Sequence, residues 1–219
     1  MVRLKISIVV PAFNEEKLLP ATLGSIAVAA QAFAVRGWEH EVVVCDNNSS
    51  DGTAALARAA GARVVFEPVN QISRARNAGA AAAAGEWLVF VDADSSPCAG
   101  LFGAVADEIA RGRAMAGGST IRLEGPYPLA KLITRGWNWL SRLQGWAAGS
   151  FIFCEAAAFR AVGGFSERLY ASEEIELFQR LKGHARRHGR RIVILHRHPM
   201  LTSARKIHLY SPWEDRKST

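Results

Sequence analysis

Glu86–Trp87–Leu88–Val89–Phe90–Val91–Asp92–Ala93–Asp94–Ser95–Ser96–Pro97 is the stretch on which the fold turns. Trp87 to Val91 are apolar without a break, the pattern of a strand buried on both faces of a parallel sheet. The run then stops at two aspartates one residue apart. In open α/β sheets, ligands bind outside the carboxyl ends of the strands. Asp92 and Asp94 therefore stand where carboxylates can meet a substrate. Hard divalent cations prefer oxygen ligands and often carry substrate phosphates. An isolated Asp-x-Asp is common in loops, and its position directly after a buried strand is what favours a metal–phosphate role. The structural alternative is an Asp94 that caps the helix starting near Cys98.

Upstream of this strand the same unit recurs. Leu4 to Val10 reads as a strand ending at Pro11, and Pro11–Ala12–Phe13–Asn14–Glu15–Glu16 is the loop at its carboxyl end. A helix starts near Pro20, since proline is tolerated only in the first turn. Leu19, Leu23, Ile26, Ala30 and Phe33 share one face of it, and Gly37 closes it. Glu41 to Cys45 is a second buried strand, followed by the turn-forming Asp46–Asn47–Asn48–Ser49–Ser50–Asp51–Gly52–Thr53. Asp51 or Ser50 can cap a helix from Thr53 to Ala60. Arg63 to Phe66 is a short third strand. Asn70 to Ala84 is helical, and its alanines suit a helix lying close against the sheet. Strand–helix alternation of this kind builds right-handed parallel crossovers, hence a doubly wound α/β half.

Downstream the pattern is less regular. Cys98 to Ala110 is a helix, Ala114 to Leu123 a strand and Gly125–Pro126–Tyr127–Pro128 a turn. Ala147 to Cys154 reads as a strand leading into a short helix that ends at Gly163–Gly164. Ser172 can cap a helix running to Gly189, Ile192 to Leu195 is the last strand, and a basic, loop-like tail starts at His196. No repeat or linker interrupts the chain, so one domain over residues 1–219 is expected. Leu132, Ile133, Trp137, Leu140 and Leu143 share one face of a helix, with Lys131, Arg135 and Arg142 elsewhere. That helix either packs in the core or lies on a membrane surface.

The 219 residues suffice for one large α/β core, and 49% hydrophobic with 21% charged residues excludes disorder. No apolar run is long enough to span a bilayer. A chain that enters a strand within its first residues leads us to expect no signal peptide. Cys45, Cys98 and Cys154 are odd in number and lack metal-site spacing, so reduced thiols in a cytoplasmic protein are expected, with a peripheral seat at the membrane's cytoplasmic face as a variant. A net charge of +7 suits nucleic acid, anionic membranes or phosphorylated substrates alike.

Four ordered blocks resemble family 2 glycosyltransferases of the GT-A fold. They are Ser7–Ile8–Val9–Val10–Pro11–Ala12–Phe13–Asn14–Glu15–Glu16; Val44–Cys45–Asp46 through Thr53; Ala75–Arg76–Asn77–Ala78–Gly79 with Gly85 and Asp92–Ala93–Asp94; and Gly163–Gly164–Phe165–Ser166–Glu167 with Ser172–Glu173–Glu174–Ile175–Glu176–Leu177. The resemblance covers nearly the whole chain. It implies a GT-A nucleotide-diphospho-sugar transferase fold, α/β with a mostly parallel central sheet flanked by helices. Residues 1–97 would be the nucleotide-binding half, 98–195 the acceptor side and 196–219 the basic tail. The implied activity is a hexosyl-type inverting transfer from a UDP- or GDP-linked sugar to an acceptor hydroxyl, itself free or lipid-linked, with Mn²⁺ or Mg²⁺ as cofactor and no nucleic-acid partner.

Carried over residue by residue, the resemblance places Pro11, Phe13, Glu15 and Asp46 on the base and ribose and Arg76 near the nucleotide. Asp92 would meet the ribose or metal, and Asp94 the metal bridging the diphosphate. Glu174 would be the general base, where the family usually has aspartate; Glu173 is its neighbouring candidate. Local chemistry leaves other roles open. Asp46 suits an Asx-turn, Arg76 and Arg74 suit a helix surface, and carboxylates in the first turn of a helix are favoured by its macrodipole. That dipole lowers a carboxyl pKa, so a base there needs desolvation to offset it. His196, His198, His208 and Arg205 could complete the metal–diphosphate site or belong to a solvated tail.

Other classes fit less well. A sugar-phosphate nucleotidyltransferase would want a Gly-rich basic loop after the first strand, where this chain has Pro11–Ala12–Phe13–Asn14. No G-x-G-x-x-G follows that strand, which excludes a dinucleotide oxidoreductase. A nucleic-acid module would cluster its cations with exposed aromatics, whereas these cations are spread along the chain. A homologue that binds nucleotide without turnover stays open because of glutamate at position 174.

Overall fold

Trp87–Val91 forms the expected strand, and all five residues are buried. This computed structural model describes residues 4–123, 149–170 and 172–202, together with Thr134, Gly136, Asn138, Trp139, Ser141 and Ala147. In chain order the elements are β1 (Lys5–Ala12), α1 (Leu19–Ala34), β2 (Glu39–Asp46), α2 (Thr53–Ala59), β3 (Arg63–Phe66), α3 (Ile72–Ala82), β4 (Trp87–Val91) and β5 (Ser95–Ser96). There follow α4 (Ala99–Arg111), β6 (Ala114–Leu123), β7 (Phe151–Glu155), α5 (Ala156–Ala161), α6 (Glu173–Arg187) and β8 (Arg191–Thr202). The described strands make one eight-stranded sheet in the order β3-β2-β1-β4-β7-β6-β8-β5.

β3, β2, β1 and β4 run parallel, with Ile8 opposite both Val42 and Val89. β7 runs antiparallel between β4 and β6, and β8 is again parallel to β6. The carboxyl ends of β1, β2, β4, β6 and β8 consequently lie along one sheet edge. Period-two alternation sorts the side chains into two cores. Ile6, Ile8, Val10, Trp87, Val89 and Val91 face Phe33 of α1 and Phe102 of α4. Val9, Leu88 and Phe90 face Phe159 of α5, Phe165, and Phe178 of α6.

The alanine-rich α3 does lie close on the sheet: a Cβ on Gly79 would come within 2.5 Å of Val9 Cγ1. Gly85, which follows the helix, is tighter still. A Cβ there would sit 2.7 Å from both the Lys5 carbonyl oxygen and the Ser7 amide nitrogen, and backbone atoms cannot rotate aside. Overpacking of this kind costs about 2–3 kcal/mol. Gly85→Ala is expected to lower the melting temperature by roughly 5–10 °C for a domain of this size. A thermal scan giving an unchanged midpoint would remove this close approach as a constraint.

Two sequence expectations are corrected. The last strand does not stop at Leu195, and His196 does not begin a loop-like tail: β8 continues to Thr202. While β6 advances from Ser119 to Ile121, its partner on β8 jumps from Leu195 to Met200. His196–Pro199 bulge out of the ladder, as Pro199 and three exposed polar side chains favour. The strand then re-enters with Met200 in the core and pairs Thr202 with Ser95 of β5. Secondly, Ser172 stands at the start of α6 but makes no side-chain cap; it is in the left-handed region at φ 62°. The amphipathic face at Leu132, Ile133, Trp137, Leu140 and Leu143, with Lys131, Arg135 and Arg142, lies outside the described residues, as do Arg205 and His208. Among the described residues, no helix is long and apolar enough to cross a membrane. Cys45, Cys98 and Cys154 are free thiols, and burial pushes Cys45 up to about 12.

Candidate active site

The sheet's carboxyl edge opens into a pocket of about 570 Å³ between the loop after β1, the start of α3 and the end of β4. Pro11, Phe13, Glu15, Asp92 and Asp94 all line it. Phe13 is 47% exposed, an aromatic face offered to the pocket rather than to a core. The loop that presents it is braced against the loop after β2. Asn14 donates its amide to Ser49 Oγ at 3.0 Å and accepts the Ser50 amide on Oδ1 at 2.8 Å, and Glu15 donates its amide to Thr53 Oγ1 at 2.8 Å. Asn14 adopts φ 53°, a conformation asparagine tolerates better than most residues.

Asp46 ends β2, and its Oδ1 accepts the Ser49 amide at 3.1 Å, forming the Asx-type turn. It does not line the pocket; Asn47 does. Asn47 donates Nδ2 to the carbonyls of Glu67 and Val69 at 3.2 and 2.6 Å and accepts the Gln71 amide at 3.0 Å. It thereby ties the segment leading into α3 to the end of β2.

Behind this pocket lies a buried ionic cluster. Arg76 is only 2% exposed. Its Nη2 donates to Asp92 Oδ1 and to the Gly149 carbonyl, and its Nη1 to Glu173 Oε1, each at 2.9 Å. Its guanidinium carbon is 5.1 Å from the centroid of Phe165. Burial opposes the charge, but Asp92 and Glu173 outweigh it and raise the guanidinium pKa. Arg76 is thus enclosed behind the pocket wall rather than on its lining. Asp92 and Glu173 are each 5% exposed and Asp94 is 9% exposed, all far below what lone carboxylates tolerate without compensation.

Glu173 and Glu174 open α6 beside this cluster. Glu173 is committed to Arg76, whereas Glu174 reaches toward Gly149: a Cβ there would be 3.5 Å from Glu174 Cδ. Burial raises the Glu174 pKa; the Glu173 and Asp92 charges raise it further, and Arg76 opposes them. The first-turn position alone would lower it, so desolvation wins. A carboxyl held above its ordinary range by burial is suited to general-base chemistry.

Asp92 and Asp94 supply a purely oxygen donor set. Among the described residues no third His, Cys, Asp or Glu joins them in a metal-binding group. Two carboxylates and no closed cage fit a hard cation that takes its remaining ligands from water and substrate phosphates. Asp92 gives Oδ1 to Arg76, and both aspartates line the pocket. Among the described residues neither His196 nor His198 joins the aspartates in such a group. Thr202 pairs with Ser95, and His198 lies in the exposed bulge before it. Its ring packs over Gly100 of α4.

Sequence reasoning named Asp92, Asp94, Arg76, Glu173 and Glu174 without their mutual contacts. It passed over Asn47, Gln71 and Gly149. Asn47 looked like one more turn residue, and Gly149 carried no local signal, since its value lies in what a Cβ would strike 73 residues away in sequence, at Arg76.

Known proteins are similar to this chain in sequence and in fold. An uncharacterized glycosyltransferase of Mycobacterium tuberculosis is 32% identical over 138 residues, which are 63% of this chain and 55% of that protein. The chain thus spans little more than half the length of this relative. Staphylococcus aureus TarS, solved with UDP-GlcNAc, superposes with a TM-score of 0.70 at 21% identity, over 91% of this chain and 58% of that one. The mannosyltransferase PcManGT of Pyrobaculum calidifontis, solved with GDP-Man and Mn²⁺, gives 0.72 at 19% identity, over 91% and 57%. Such distant likenesses establish the shared GT-A fold. Residues 7–160, well over half of the chain and including most of β1, both acidic loops and the Asp-x-Asp strand, match the family model for glycosyl transferase family 2, and the chain belongs to that family.

Proposed function

We propose that this chain moves a sugar from a UDP- or GDP-linked donor to an acceptor hydroxyl with inversion at the anomeric carbon. The observation that carries the reading is the convergence on one sheet edge of a pocket lined by Asp92 and Asp94 with a desolvated Glu174, joined through Arg76. Family membership and nucleotide-sugar complexes of similar folds support it. Phe13 and Pro11 would cover the base, Glu15 and Asp92 would face the ribose, and Asp46 would act mainly by shaping the loop that carries Asn47. Asp94, with Asp92, would hold Mn²⁺ or Mg²⁺, which when bound supplies Lewis-acid stabilisation of the charge on the leaving diphosphate.

In the reaction the acceptor oxygen attacks the anomeric carbon opposite the diphosphate. The new C–O bond forms as the bond to the diphosphate breaks, and the acceptor proton passes to Glu174. Glutamate is one methylene longer than the aspartate common at this place. Its side chain packs beside Gly149, where a Cβ would stand in van der Waals contact with Glu174 Cδ. The pocket is tested by thermal shift with UDP-, GDP- and dTDP-sugars, each with and without Mn²⁺. A ligand at about a hundred times its Kd stabilises by roughly 2.7 kcal/mol, so one nucleotide class is expected to raise the midpoint by about 5–11 °C. No shift with any of them would reduce the reading to a likeness of fold.

A further inference from the structure

We propose that Arg76 is a positioning residue: its buried guanidinium fixes the segment that carries Glu174 in register with Asp92, instead of contacting the nucleotide. Its catalytic consequence rests on the function proposed above. α3 and the residue before it reach across to one stretch of the second half, residues 164–173, at four points. Gln71 Nε2 donates to the carbonyls of Glu167 and Leu169 at 2.9 and 3.0 Å. Arg74 pairs with Glu167 at 3.0 Å. Arg76 holds Glu173, and Asn77 exchanges two hydrogen bonds of 2.9 Å with the backbone of Phe165.

Arg76 differs from the other three in also reaching Asp92 and the Gly149 carbonyl. It therefore joins the end of β4, the turn before β7 and the start of α6 in one place. A planar guanidinium can serve several acceptors at fixed angles, which the single ammonium of lysine cannot. Gly149 completes the fit, because a Cβ there would come 3.3 Å from Nη2 and 3.5 Å from Glu174 Cδ. Both η nitrogens donate to protein acceptors, and Arg76 is not among the residues lining the pocket. Without the fork, Glu173 loses its counter-ion and the first turn of α6 its anchor, so Glu174 is no longer held beside the Asp92 end of the donor pocket.

The test uses Arg76→Lys and Arg76→Met in the full chain, with three readouts. Amide hydrogen exchange of the ligand-free protein should quicken about tenfold over residues 164–174 in the methionine variant and less in the lysine variant. Affinity for UDP and GDP with Mn²⁺ should change by less than about threefold in either. Release of nucleotide from the donor sugar should fall about 10²-fold or more in kcat with the donor KM held, since small misplacements of reacting groups have effects of that size. Lysine, which keeps the charge, should recover part of the loss. Unchanged exchange over 164–174 would overturn the proposal, as would nucleotide affinity falling in step with turnover, the mark of a nucleotide contact. Quickened exchange with full turnover would overturn it too. A wild-type protein that binds neither nucleotide would instead sink the proposed function, and exchange would still decide whether Arg76 anchors the segment.

Discussion

Asp94→Asn is expected to abolish the manganese-dependent part of the melting-temperature rise produced by UDP or GDP, a loss of about 5–11 °C at saturating ligand. It is also expected to lower turnover by roughly 10³-fold, about 4 kcal/mol of transition-state stabilisation, the scale on which a Lewis-acid cation acts. Asparagine keeps the shape and removes the charge, so lost cation affinity is read without a new void in the pocket wall. Asp92→Asn should behave differently. Asp92 Oδ1 is bonded to Arg76 in the interior, and weakening that pair should lower the melting temperature of the ligand-free protein as well. The two aspartates, one residue apart, both line the pocket, and Asp92 is in addition tied to the buried Arg76. A manganese-dependent shift that survives in Asp94→Asn would take the cation away from this residue.

That division could not be seen in Asp92–Ala93–Asp94 as a string. The strand before it was legible, because five consecutive apolar residues between Glu86 and Asp92 fit little else in an α/β chain. The parallel half was legible for a similar reason: each apolar strand ends in a loop and is followed by a helical stretch. The antiparallel insertion of β7 between β4 and β6 was not. It depends on which strands meet, and local periodicity is blind to that. β8 shows the complementary failure. His196–Arg197–His198–Pro199 has the composition of a loop and is locally a bulge, yet Met200–Leu201–Thr202 returns to the sheet. The return depends on tertiary pairing with Ile121, Arg122 and Leu123, not on propensity.

At the site, chemistry-bearing residues were readable as types and their wiring was not. Arg76 on an alanine-rich helix looked like a surface or nucleotide-facing cation, because arginine is seldom buried. The structure surrounds it with Asp92, Glu173 and the Gly149 carbonyl, partners 16, 97 and 73 residues away. Asp46 kept the turn role that its neighbours Asn47 to Ser50 suggested, with its carboxylate on the Ser49 amide. Asn77 is similar. Its two hydrogen bonds with the Phe165 backbone explain why the Gly163–Gly164–Phe165 corner is tight, since a Cβ on Gly164, itself at φ 68°, would meet Asn77 Oδ1 at 2.7 Å.

Glu174→Gln and Glu173→Gln are expected to have opposite effects on stability and so to identify the base without a known acceptor. Burial, with the charges of Glu173 and Asp92, raises the Glu174 pKa. The folded state therefore binds the Glu174 proton more tightly than the unfolded state. Its contribution to stability is complete below the unfolded value near 4.5 and is lost as pH rises through the folded value. At neutral pH an ionised Glu174 is a burden that glutamine removes. Glu174→Gln should melt at or above the wild-type temperature at pH 7 while losing about 10²–10⁴-fold in turnover. The acid limb of the wild-type kcat/KM profile should fall above the ordinary glutamate range, in keeping with the raised pKa, and should vanish in the variant. Glu173 carries no such freedom, being 5% exposed and bonded to Arg76. Glu173→Gln leaves a buried cation short of a counter-charge, a loss of about 3 kcal/mol, or roughly 6–12 °C in melting temperature. Nucleotide binding, which neither carboxylate touches in this scheme, should persist in both. If Glu174→Gln retained full turnover, or if Glu173→Gln alone removed the acid limb without destabilising the protein, the base would have to be sought at Glu173.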